Sequence, residues 1–70
     1  MKLSARNQLK GIVKSVVPGA VNAVVTIEIP GGHTITSDIT VQAVKELNLV
    51  EGKEVYAVIK ASDVLVGVDH

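Results

Sequence analysis

The stretch Asn22-Ala-Val-Val-Thr-Ile-Glu-Ile29, Pro30-Gly31-Gly32, His33-Thr-Ile-Thr-Ser-Asp-Ile39, Thr40-Val-Gln-Ala-Val-Lys-Glu-Leu47 changes rhythm twice, and those changes decide the fold. In its first part Ala23, Val25, Ile27 and Ile29 alternate with Asn22, Val24, Thr26 and Glu28, the period of two that puts one face of a strand on a core. Pro30-Gly31-Gly32 is a hairpin signal, and beyond it Ile35 and Ile39 alternate with Thr34, Thr36 and Asp38 as the returning strand. The period then lengthens. Thr40 is an N-cap residue, and Val41, Val44 and Leu47 lie three apart, which predicts a two-turn helix ending near Asn48.

Outward from that centre the pattern is again β. Gln8 to Val17 is rich in β-branched residues, and Gly11 within it marks a bulge or a close approach of another backbone. Pro18-Gly19 turns this strand into the Asn22 strand. After the Glu51-Gly52 turn, Glu54 to Lys60 alternates Val55, Ala57 and Ile59 against Tyr56 and Val58. Ala61-Ser62-Asp63 breaks the pattern before Val64 to Val68 supplies a fifth strand. Three strands, a short helix and two strands is the order of an all-β, OB-like five-stranded Greek-key barrel, with the helix between strands three and four. Residues 1–70 form one domain, with no room for a second core.

Composition narrows the classes of function. The chain has 14 valines and 6 isoleucines but no Phe, Trp or Cys and one tyrosine, Tyr56. A core so small leaves little surplus stability, and neither disulfides nor thiolate metal sites are available to help, so oligomerisation is the expected device. Val16 beside Val17 and Val24 beside Val25 give strands apolar on both faces, more than one barrel interior holds, and the extra face is expected to meet another subunit. Seven Lys and Arg balance seven Asp and Glu, whereas a nucleic-acid binder gathers basic excess. An OB barrel raises single-stranded nucleic acid as the alternative partner, but such grooves stack bases on aromatics, and here only Tyr56 is aromatic. No segment reads as a signal peptide or membrane span, so the cytoplasm is expected and no membrane partner.

Enzymatic readings fare badly. His33 follows a glycine turn and reads as a solvated loop residue, His70 is terminal, and Glu51 and Glu54 flank a turn on the surface. Gly31-Gly32 joins two strands, whereas a phosphate loop leads into a helix. What remains is a set of donors at strand ends: Ser4, Arg6 and Asn7 before strand one, Lys60 and Ser62 after strand four, and Thr40 at the helix start. Such a set suits a small tetrahedral oxyanion, which offers only acceptors: two cationic groups balance a dianion while hydroxyls and backbone N–H groups fix its geometry.

Ser4-Ala5-Arg6-Asn7-Gln8-Leu9-Lys10-Gly11, Glu51-Gly52-Lys53-Glu54-Val55 and Val58-Ile59-Lys60-Ala61-Ser62-Asp63-Val64 together closely resemble the molbindins, the small Mop proteins. The resemblance runs over nearly the whole chain. It implies an OB-like domain that binds molybdate or tungstate as an intact oxyanion, with no direct protein ligand to the metal, no required cofactor and no catalysis, for storage and homeostasis in the cytoplasm; an oxyanion-sensing interaction module is the alternative. It also implies a homohexamer, a trimer of dimers, with the anion held between subunits. Ser4 and Arg6 then come from one subunit and Lys60 from a neighbour, the N–H groups around Ala5 and Ala61 add donors, and Thr40 or Ser62 supplies a hydroxyl.

Overall fold

The computed structural model describes residues 1–69; His70, expected to be a terminal residue without a role, lies outside the described residues. The chain runs β1 (Asn7–Pro18), β2 (Asn22–Ile29), β3 (His33–Thr40), helix α1 (Val41–Glu46) and β4 (Glu54–Ile59), then a single 3-10 turn at Ala61–Asp63. The strands form one antiparallel sheet in the order β3-β2-β1-β4.

The long first strand is shared between two halves of the sheet. Asn7 to Ile12 pairs with β4, and Ile12 to Pro18 pairs with β2. Between Val13 and Ser15 the register with β2 slips by one, so Lys14 is the extra residue of a bulge. That slip puts both Val13 and Val16 on the inner face, against Ile27 and Val25, and turns the Val17–Val24 pair outward. Gly11 is therefore the close approach and Lys14 the bulge. A Cβ on Gly11 would stand 2.6 Å from the Glu28 carbonyl oxygen and 2.7 Å from Ile27 Cγ2.

Val13, Val25, Ile27 and Ala57 are the buried centre, with Ile29, Ile35, Ile39 and Val55 packed around them. The alternation read from β2, β3 and β4 places these residues on the inner face. Helix α1 starts as expected: Thr40 Oγ1 accepts from the Ala43 N–H at 3.0 Å. Its stripe differs at one end. Val44 packs on the core, but Leu47 is the C-cap and exposed, and Leu49 takes the expected place of Leu47 after Asn48 adopts a left-handed conformation (φ 52°).

Four strands form among the described residues, where five were expected, within an all-β fold that keeps the short helix between the third and fourth. Val64–Val68 is in no strand, and Leu65, Val66 and Val68 are 92%, 91% and 84% exposed. The physical reason is that the 3-10 turn carries the chain away from β4, so the outer edges of β3 and β4 keep their unpaired backbone groups. The hollow beside them, about 410 Å³, is lined by apolar side chains including Val13, Ile27, Ile39, Leu49 and Val55.

Candidate anion-binding site

The last rung between β1 and β4 is Asn7 opposite Ile59. The segments carrying the expected donors leave the sheet together from this rung, Ser4–Arg6 on one side and Lys60–Ser62 on the other. Two side-chain amides tie them down. Asn7 Nδ2 donates to the Ile59 carbonyl at 3.3 Å, and Gln8 Nε2 donates to the Ala5 carbonyl at 3.0 Å. Asn7, grouped by sequence with the anion donors, is thus engaged with backbone.

The direction of the backbone donors follows from the ladder. Val13 N–H donates to Lys53 O at 2.9 Å while Val13 O accepts from Gly52 N–H at 2.8 Å, which makes Val13 a position of β1 whose N–H points toward β4. Such positions recur every two residues, so Asn7–Ile59 is another, and Arg6 and Lys60 fall on the alternate kind, whose N–H groups point away from the opposite strand. Neither N–H has a backbone acceptor among the described residues. The Ala61 and Ser62 N–H groups open the 3-10 turn, where Asp63 N–H returns to Lys60 O at 2.9 Å.

Charge is arranged to leave these cations available. Glu54 pairs with Lys10 at 3.2 Å and Glu28 lies 3.9 Å from Lys14, and among the described residues Arg6 and Lys60 take part in neither contact. Ser4, Arg6, Lys60, Ala61 and Ser62 are all exposed, and Ala5 is half-buried. Two hollows lie elsewhere: the apolar one is beside the core, and the other, about 350 Å³, is beside Lys10, Gly11, Glu54 and the β2–β3 hairpin. Among the described residues of one chain these donors, Ala5 apart, lie on the exposed surface.

Thr40 stands apart. It pairs with Asn22, beyond the end of β1 opposite Arg6, and the 12 residues of β1 that lie between span roughly 36 Å at about 3.3 Å per residue. Its hydroxyl oxygen already caps α1, and its proton is left to donate. One chain therefore brings together Ser4, Ala5, Arg6, Lys60, Ala61 and Ser62 and leaves Thr40 out. His33 is exposed in the hairpin, and Tyr56 lies half-exposed on the outer face opposite Lys10. Among the described residues no three His, Cys, Asp or Glu side chains gather to hold a metal ion. No helix is long and apolar enough to cross a membrane.

Residues 3–66 match the TOBE domain family. The chain is 59% identical over 69 residues to a probable molybdenum-pterin-binding protein of Haemophilus influenzae, covering 99% of this chain and all of the relative. Among solved structures it is similar to a molybdate-binding protein from Sporomusa ovata, with a TM-score of 0.91 at 37% identity, covering 97% of this chain and all of that one. It is also similar to ModG, a cytoplasmic molybdate-binding protein solved with molybdate bound, with a TM-score of 0.93 at 54% identity, covering 97% of this chain and 48% of that one.

Proposed function

This chain belongs to the TOBE domain family and to its small molbindin members, and from that premise we propose that it binds molybdate, and tungstate with it, at sites shared between subunits. The observation that carries the reading is the strip at the Asn7–Ile59 end of the sheet. Among the described residues it holds two cations without a carboxylate partner, hydroxyls at Ser4 and Ser62, and N–H groups around Ala5 and Ala61 without a backbone acceptor. Every one of these groups donates. A dianion with four acceptor oxygens is the complementary ligand.

The site spans subunits because one chain cannot close it. The Arg6 and Lys60 N–H groups point to opposite sides of the β1–β4 pair, so a single anion meets Ser4 and Arg6 of one copy and Lys60 of another. Thr40, distant within one chain, joins only from a neighbour. The same assembly gives the apolar Val64–Val68 tail a place: the unpaired β3 and β4 edges beside an apolar hollow offer a strand from a second copy both hydrogen bonds and burial. A homohexamer built as a trimer of dimers satisfies both demands. Such a protein needs no cofactor and performs no catalysis; it stores and buffers oxyanion in the cytoplasm.

Isothermal titration with sodium molybdate tests the site. A charge-assisted hydrogen bond contributes about 1.5–3 kcal/mol, so Arg6→Ala and Lys60→Ala should each weaken binding by roughly ten- to a hundredfold. Wild-type affinity in both variants overturns the assignment. Sedimentation equilibrium tests the assembly, and a monomer at micromolar concentration with molybdate present overturns it.

A further inference from the structure

We propose that Asn7 and Gln8 are positioning residues that aim the Arg6 and Lys60 backbone N–H groups at the oxyanion. This rests on the site proposed above and names what holds its backbone donors in place. Each side chain grips the carbonyl of the peptide unit whose N–H belongs to a cationic residue. The Gln8 amide holds Ala5 C=O, in the same plane as Arg6 N–H, and the Asn7 amide holds Ile59 C=O, in the same plane as Lys60 N–H.

A trans peptide is planar with its C=O and N–H opposed, and the described residues contain no cis bond. Fixing the oxygen therefore fixes the direction of the hydrogen. Accepting a bond at the oxygen also polarises the unit and strengthens the N–H as a donor. Both effects matter here because Arg6 lies just outside the β-ladder, where nothing in the sheet holds its peptide plane, and the Ile59 carbonyl beside Lys60 sits on the last rung of the ladder, where the Asn7 side chain adds a second bond to it. A segment in that position frays unless tied down, and the ordering would then be drawn from the binding energy. Gln8 and Asn7 are themselves inside β1 and partly buried, so the braces are anchored on the ladder.

The two braces act on different peptides, which makes them separable. In Gln8→Met and Asn7→Leu the donor is removed at similar side-chain size. With the full-length protein and sodium molybdate, each variant should bind about tenfold more weakly, with unfolding temperature and sedimentation mass close to wild type. In amide proton–nitrogen spectra, molybdate should shift the Arg6 and Lys60 resonances downfield in the wild type. Gln8→Met should lose the Arg6 shift and keep that of Lys60, and Asn7→Leu should do the reverse. If either substitution prevents folding, Gln8→Glu and Asn7→Asp keep the shape and replace the donating NH₂ by oxygen, with the same resonances read.

Wild-type shifts at both amides in both variants overturn the positioning role, as does loss of both shifts together with a fall in unfolding temperature, which would make the residues merely structural. Arg6→Ala and Lys60→Ala are run beside them. If those two bind molybdate like the wild type, the site itself is wrong; if they lose binding while Gln8→Met and Asn7→Leu do not, only the positioning role falls.

Discussion

Gly11 shows how one missing side chain permits the sheet to bend. β1 carries β4 on its first half and β2 on its second, and at the changeover the Glu28–Ile29 backbone passes directly over Gly11. A methyl group there meets a backbone carbonyl at 2.6 Å, which cannot rotate away as a side-chain tip can. Gly11→Ala should destabilise the protein by about 1–3 kcal/mol, the usual cost of overpacking, read from urea unfolding. Nearby, the Glu54 carboxylate holds the Lys10 ammonium above its ordinary value, chiefly through their hydrogen bond. A lysine raised in this way adds stability that is complete below its unfolded pKa and is lost as pH rises through the folded one. The small deficit in unfolding temperature of Glu54→Gln should thus be present at neutral pH and shrink above the ordinary lysine value of 10.5.

At the scale of elements, α1 depends on its cap. Six residues are too few to sustain a helix alone, and the Thr40 hydroxyl satisfies the Ala43 N–H while Lys53 Nζ closes the other end on the Leu47 and Asn48 carbonyls. Thr40→Ala should cost about 1 kcal/mol, recovered by Thr40→Ser, as measured by thermal unfolding. A change in molybdate affinity beyond this would report Thr40 acting in a neighbour's site. The cap, the hairpin and the strand faces were all legible in sequence because each depends on residues no more than a few positions apart. The stripe end was not: Leu47 and Leu49 have equal hydrophobic claims, and only the left-handed turn at Asn48 gives the core place to Leu49. The bulge at Lys14 was not legible for a similar reason, since Lys14 carries no local signal and the slip is a compromise between two partner strands.

For the whole molecule, the proposed shared site links assembly to ligand. Leu65→Lys with Val66→Lys places charge on the tail without touching the donor strip; sedimentation should then show a smaller species, and molybdate should bind more weakly because its site needs two copies. A ligand that binds only the folded assembly raises stability by mass action, about 2.7 kcal/mol at a hundred times its dissociation constant. The wild-type unfolding temperature should therefore climb with molybdate and with protein concentration, whereas the tail variant should lose the second dependence.

Of the proposed site, sequence alone determined the residue types: Ser4, Arg6, Lys60 and Ser62 can each donate wherever they fold, because that capacity is a property of the side chain. It determined the strands and the helix as well, because periods of two and of three to four residues are written locally. Tertiary structure decided the rest. Pairing of Asn7 with Ile59 joined two segments some fifty residues apart in sequence, the parity of that pairing turned the Arg6 and Lys60 N–H groups to opposite sides, and the 3-10 turn left Val64–Val68 outside every strand formed by the described residues. Register and edge pairing are settled by long-range hydrogen bonding and burial, which no local pattern encodes.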